Sequence, residues 1–184
     1  MMTTRTKPLR TTAIWAALMA AFPLSAGALP TAPTVANGTA TFAQSGNTLT
    51  VTNSNQAIIN WQSFSIGANE VTRFVQPSAS SSVLNRVISN DPSQLLGSLQ
   101  SNGRVFLINP AGILVGQGAK IDVAGFVAST LNLSDGDYLA GRLRFTQPAG
   151  AAGTIINQGE IKASSGGSIY LVAPQVENHG VINA

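Results

Sequence analysis

The segment Thr48-Leu49-Thr50-Val51-Thr52 alternates apolar and polar residues with a period of two. That is the spacing of a strand with one face buried and one in water. Val105-Phe106-Leu107-Ile108 is a short apolar run closed by Asn109-Pro110, and Ser168-Ile169-Tyr170-Leu171-Val172 lies between Gly166-Gly167 and Pro174. Both read as strands bounded by turn residues. A helix is expected only near Pro92 to Leu99, where Asp91 can cap the start and Pro92 can fill the first position. The pattern predicts an all-β chain.

Its C-terminal part repeats. Ile155-Ile-Asn-Gln-Gly-Glu-Ile-Lys-Ala163 aligns with Val176-Glu-Asn-His-Gly-Val-Ile-Asn-Ala184 at an offset of 21 residues. Ile155 meets Val176, Asn157 meets Asn178, Gly159 meets Gly180, Ile161 meets Ile182 and Ala163 meets Ala184. Matches fall on alternate positions, as stacked strands require when odd residues face inward and even ones face solvent. A period near 20 with fixed Gly and Asn reads as a solenoid whose coils bury one another's apolar faces. Ile121 and Val123 lie 40 residues before Ile161 and Ala163, which reads as two further periods. The second copy stops before any counterpart of Ile169-Tyr170-Leu171, so the sequence reads as the start of a longer protein.

The N-terminus is set apart by composition. Arg5, Lys7 and Arg10 precede a mostly apolar, uncharged run from Thr11 to Leu24, and Ala26-Gly27-Ala28 follows. This is the layout of a secretory signal peptide over 1–28, cleaved after Ala28, with Ala26 and Ala28 as the small residues at the cleavage site. Pro23 interrupts a run already shorter than the roughly 20 residues of a membrane span. Residues 29–37, with Pro30 and Pro33, read as a flexible lead-in, and 38–184 as the folded domain. Three of the 10 basic residues lie in the leader; the other 7 balance 7 acidic ones. The net charge of +3 therefore belongs to the leader and gives no basic face for nucleic acid.

Candidate chemistry is sparse. There is no Cys and one His, which removes metal sites built on those ligands. Without Cys, oxidation cannot lock the chain in a folded state, which matters if it must cross a second membrane unfolded. The acids Glu70, Asp91, Asp122, Asp135, Asp137, Glu160 and Glu177 are scattered; Asp135 and Asp137 read as a solvated turn, and His179 as an outward surface residue. A β-helical polysaccharide lyase or hydrolase would need carboxylates clustered along one face, and none are. Hence no catalytic residue and no cofactor is assigned. Asn109-Pro110-Ala111-Gly112-Ile113 has the residue preferences of a type I turn: Asn first, Pro second, Gly fourth.

Gly103-Arg104-Val105-Phe106-Leu107-Ile108-Asn109-Pro110-Ala111-Gly112-Ile113 resembles the signature of the filamentous haemagglutinin secretion domain. The resemblance continues in order through Asn60-Trp61, Phe64, Ile66-Gly67, Leu84-Asn85-Arg86-Val87, Pro92-Ser93, Gly97, Ala128-Ser129-Thr130-Leu131 and Tyr138-Leu139-Ala140-Gly141, and covers about 37 to 184. Two departures are visible: Ala111 stands where the family has Asn, and the family's Asn-Pro-Asn-Leu motif has no counterpart. The resemblance implies a single-stranded right-handed parallel β-helix with N-terminal cap strands and extra-helical β-hairpin elements. It implies the secretion domain of a two-partner system, exported by the inner-membrane machinery through the signal peptide. An outer-membrane β-barrel transporter with periplasmic peptide-binding domains would then carry it to the surface or outside of a Gram-negative bacterium. The passenger would be an adhesin, haemolysin or contact-dependent toxin; a free-standing surface adhesin is the other reading. Stable membrane insertion of the mature domain is not expected. Thr48 to Thr52 is the segment expected to add as a strand to the transporter's edges.

Overall fold

The computed structural model describes residues 29–150 and 152–184; the signal-peptide reading, with Ala26 and Ala28, lies outside the described residues. Two strands come first, β1 (Thr34–Asn37) and β2 (Ala40–Ser45). The chain then winds in coils. β3 (Thr48–Asn53) and β4 (Ala57–Trp61) begin the first coil, whose third side is a single bridge from Ile66 to Leu95. The second holds β5 (Val71–Val75), β6 (Ser82–Val87) and β7 (Ser93–Leu95), and the third β8 (Ser98–Ser101), β9 (Arg104–Ile108) and β10 (Ile113–Val115). The fourth holds β11 (Lys120–Val123) and β12 (Gly125–Ser129), leaves the stack through β13 (Asn132–Leu133), α1 (Asp135–Leu139) and β14 (Phe145–Thr146), and returns in β15 (Ile155–Asn157). β16 (Glu160–Ala163), β17 (Ile169–Val172) and β18 (Val176–Asn178) make the fifth, and β19 (Val181–Asn183) opens the sixth.

Apart from the small antiparallel pair β13–β14, the strands stack into three sheets whose pairings from β3 onward are parallel, save where β1 and β2 flank β4 and β3, so the architecture is a parallel β-helix. One inward row runs Leu49, Thr72, Leu99, Ile121, Ile161, Ile182 through successive partners. All but Ile182 are buried. The strands of an inner coil pair with the coils above and below, which is how a core one side chain deep closes without disulfides. At the N-terminal end Phe42, Trp61 and Phe64 meet edge to face at 5.6 and 5.5 Å, and Phe64 stacks on Phe74 at 6.4 Å. This aromatic plug fills the mouth of the first coil.

The structure corrects several expectations. Pro92 to Leu99 is not helical: Ser93, Gln94 and Leu95 form β7, paired with Ile113 to Val115. Only a few residues separate Pro92 from the corner at Gly97, too few for a stable helix, and the ladder to β10 overrides the capping propensity. At Gly97 an added Cβ would sit 2.2 Å from the Gly67 carbonyl oxygen, so the coils touch backbone to backbone at this corner. The segment 29–37, expected as a flexible lead-in, is built into the fold: Leu29 is buried against the core and β1 pairs antiparallel with β4. Ser-Asp-Gly-Asp is a short helix rather than a turn, because the Ser134 hydroxyl accepts from the Asp137 N–H at 3.1 Å and caps it. Ile121 and Ile161 are direct partners in adjacent coils, so the 40-residue interval is one coil plus the excursion through α1, not two. Coil spacing otherwise runs from 20 residues (Ser93 to Ile113) to 29 (Ile66 to Leu95). Ile156, an even position, is buried as well. Finally, β3 is an inner strand, hydrogen-bonded on both sides by β2 and β5. In the folded domain it has no free edge to offer.

Candidate functional site: the Asn109 turn and its surroundings

Asn109 directly follows β9 and is fully buried. Its Oδ1 accepts from the Ala111 N–H at 3.0 Å, and its carbonyl accepts from the Gly112 N–H at 3.1 Å, closing the four-residue turn. Its Nδ2 donates to the Asp91 carbonyl and to Ser93 Oγ, both at 2.9 Å, and its N–H donates to the Ser129 carbonyl at 2.9 Å. One side chain thus shapes its own corner and ties it to the coil beneath. Gly112 has φ +127, a region that side chains rarely adopt. Above, the Gly153 N–H donates to the Pro110 carbonyl at 2.7 Å, and a Cβ at Gly153 would lie 2.5 Å from the Ala111 oxygen. Ile113 is buried and starts β10, so only Pro110 and Ala111 reach the surface, each in part. The partners Asp91, Ser93 and Gly153 were not visible in the sequence, because pairing across coils has no fixed sequence offset.

The C-terminal ladder is stacked in register. Ile155 pairs with Val176, Asn157 with Asn178 and Ile161 with Ile182. Asn157 Nδ2 donates to Asn178 Oδ1 at 2.7 Å, and Asn157 Oδ1 accepts from the Gly159 N–H at 3.2 Å. A Cβ at Gly180 would fall 2.1 Å from the Gly159 oxygen, so these glycines allow the corners to close on one another. His179 is half exposed, 3.4 Å from Glu177.

The excursion from β13 to β14 is a clasp laid on the outside of the β4–β6–β9–β12 sheet. An outward row on that sheet, Ile58, Leu84, Phe106, Val127, Tyr170, is apolar throughout. Leu133, Tyr138 and Phe145 pack over its first four members, with Phe106 and Tyr138 edge to face at 5.2 Å. Tyr138 donates to Ser82 Oγ at 2.8 Å, and burial pushes its pKa up to about 12. Arg86 pairs with Asp135 at 2.7 Å, and Arg142 with Asp137 at 2.8 Å. The Arg142 hydrogen bond, helped by that of Ser134, holds the Asp137 carboxyl below its ordinary range. These acids staple the clasp rather than face one another, and among the described residues no three His, Asp or Glu side chains group as a metal site would need. Apolar residues on the outward face of these strands, where solvent-facing polar ones were expected, were the sequence signal for a covering element.

The family described as TPS secretion domain matches residues 26–184. The chain belongs to that family, the two-partner secretion domains. The crystal structure of the HMW1 secretion domain from Haemophilus influenzae superimposes with a TM-score of 0.82 at 45% sequence identity, over 83% of this chain and 41% of that one. A heme/hemopexin-binding protein of Haemophilus influenzae is 37% identical over 169 residues, which is 87% of this chain and 18% of that protein. A second heme/hemopexin-binding protein from the same species is 45% identical over 80 residues, 44% of this chain and 9% of that protein. The chain therefore spans less than a fifth of the length of the curated relatives it matches. As a TPS secretion domain it is the part of an exported protein concerned with export. The Asn109 turn is one of its internal corners.

Proposed function

We propose that this chain targets a larger surface or secreted protein of a Gram-negative bacterium for export through an outer-membrane β-barrel transporter. Residues 1–28 act as the signal peptide for the inner-membrane machinery. The domain that follows meets the transporter's periplasmic peptide-binding domains, and its coils close outside the cell. The likeness to the HMW1 secretion domain, in sequence and in fold together, carries this reading. The residues of the Asn109 turn, Pro110 and Ala111 apart, are turned inward, which supports a role in forming the β-helix rather than in side-chain contact with a partner.

A bias for outward movement follows from the fold. Each coil that closes removes residues such as Ile121 or Ile161 from water, at about 25 cal/mol per Å² of apolar surface. A coil closed too early should therefore jam the passage. Asp122 and Lys162 are partners in adjacent coils with outward, exposed side chains. Cysteines at both positions have the neighbouring-strand spacing a disulfide accepts. With the transporter co-expressed, the unaltered chain is expected in the medium only when the transporter is present, and with Leu29 as its first residue. The double-cysteine variant is expected to stay in the periplasm until reductant is added. Release of the unaltered chain without a transporter would overturn the reading.

A further inference from the structure

A plain solenoid couples each coil only to its neighbours, and the parallel ladders here never skip a coil. The clasp does skip, because its residues reach four coils at once. In coil one, the Gln56 side chain donates to the Leu139 carbonyl at 2.9 Å, and Ile58 lies in the cluster that holds Tyr138. In coil two, Ser82 accepts from the Tyr138 hydroxyl, and Arg86 donates to the Leu133 carbonyl at 2.8 Å while pairing with Asp135. Phe106 of coil three meets the Tyr138 ring, and Val127 of coil four joins the same cluster. The covering stops there. Tyr170 continues the outward row in coil five and is half exposed. An open groove, with Tyr138 and Leu143 on one side and Ser165 and Tyr170 on the other, parts coil five from the clasp. Without the clasp, Ile58, Leu84, Phe106 and Val127 would form an apolar stripe in water. The four coils are thus incomplete until the clasp sits on them, and the clasp has no seat until all four are stacked.

We propose that the clasp is a latch: it closes only on a complete stack of coils one to four and makes them a single all-or-none unit, while coil five and β19 open and close by themselves. The latch itself follows from contacts within the chain and goes beyond the export reading. Its use rests on that reading. Coils that have emerged remain free to reopen singly until the chain is out through Phe145; once the clasp seats, none can slip back alone. The contacts that set it are also the longest in sequence, 83 residues for Gln56 to Leu139 and 56 for Tyr138 to Ser82. Such non-local closure is late and slow in folding, which suits a chain that must stay open on the near side of the membrane.

Native-state hydrogen exchange of the purified, folded chain in rising denaturant reads the unit directly. In the unaltered chain, the slowest amides of β4, β6, β9 and β12 are expected to share one opening, with those of β16 and β17 exchanging at least about tenfold faster. In Tyr138→Ala the four strands are expected to separate. Amides of β12 should then exchange at least about tenfold faster than those of β4, which keeps the support of the aromatic plug. Tyr170→Ala, at the matching outward position beyond the clasp, is expected to leave the four together. Openings graded coil by coil in the unaltered chain would overturn the proposal, and that reading does not depend on any variant's folding. Equal acceleration of all four strands in Tyr138→Ala would overturn it too, since they would then be one unit without the clasp. For the use in export, Tyr138→Ala is expected in the medium at about a tenth of the unaltered amount when the transporter is co-expressed. Equal secretion would defeat that use. Failure of the unaltered chain to leave the cell would instead sink the transporter reading, with the exchange result still standing.

Discussion

Ile161 and Ile182 occupy the same place in the repeat, pair directly with each other, and live in different environments. Within residues 29–184, Ile161 is 0% exposed, with Ile121 on one side and Ile182 on the other; Ile182, in the last strand of this segment, is 39% exposed and pairs with Ile161. The same contrast holds across the whole rung, where Ile155 is buried and Val176 is not. In a solenoid, a residue's contribution is thus set by whether a coil covers it, not by its letter in the repeat. The outer row of the clasped sheet teaches the same thing from the other side. Val127, under the clasp, is nearly hidden, while its partner Tyr170, beyond the clasp, is half exposed.

The most direct way to break this comparison is to truncate both isoleucines. Ile161→Ala should cost about 2–5 kcal/mol, the range for a filled core site between rigid neighbours. Ile182→Ala should cost well under half of that, since water already reaches it. Chemical denaturation of the folded chain measures both. Equal costs would show that coverage is not what sets the energy.

Next in size is Asn109→Ala. It removes the Asn109 amide from Asp91 and Ser93 and uncaps the Ala111 N–H, in a site with no water-facing side. The loss is expected at about 1–3 kcal/mol, because buried partners are left unpaired. Asn178→Ala, at an exposed rung, should cost only a few tenths of a kcal/mol by the same measurement. If Asn109→Ala is as stable as the unaltered chain yet is not secreted, the turn acts by direct recognition and not through the fold.

What could be read from the sequence follows the same division. The last two coils were legible because Asn157/Asn178, Gly159/Gly180 and Ile161/Ile182 repeat at one offset, with nothing inserted between them. The turn at Asn109 was legible because Asn, Pro and Gly each have a local conformational reason to be there. The earlier coils were not, since their spacing varies and the inward row accepts Thr72 between Leu49 and Leu99. Cross-coil pairing tolerates such exchanges, so no repeat survives in the letters. The clasp was hidden for a second reason. Its helix is held by Ser134, by the Arg86–Asp135 pair and by a sheet face remote in sequence, and Ser-Asp-Gly-Asp alone carries only turn chemistry.

The smallest effect tests the clasp. Tyr138→Phe keeps the ring on Phe106 and removes only the hydrogen bond to Ser82, so it should cost about 1 kcal/mol at neutral pH. The alkaline side is more telling. Burial raises the Tyr138 pKa from 10.0 to about 12, so the folded chain keeps a proton there that the unfolded chain gives up. Stability contributed by this group is therefore whole below pH 10 and falls as pH rises from 10 towards 12. The deficit of Tyr138→Phe relative to the unaltered chain should shrink across that window, because the variant has no phenol to ionise. A deficit that stays constant from pH 9 to pH 11.5 would mean that Tyr138 is not sealed under the clasp, and the contrast between Val127 and Tyr170 would lose its cause.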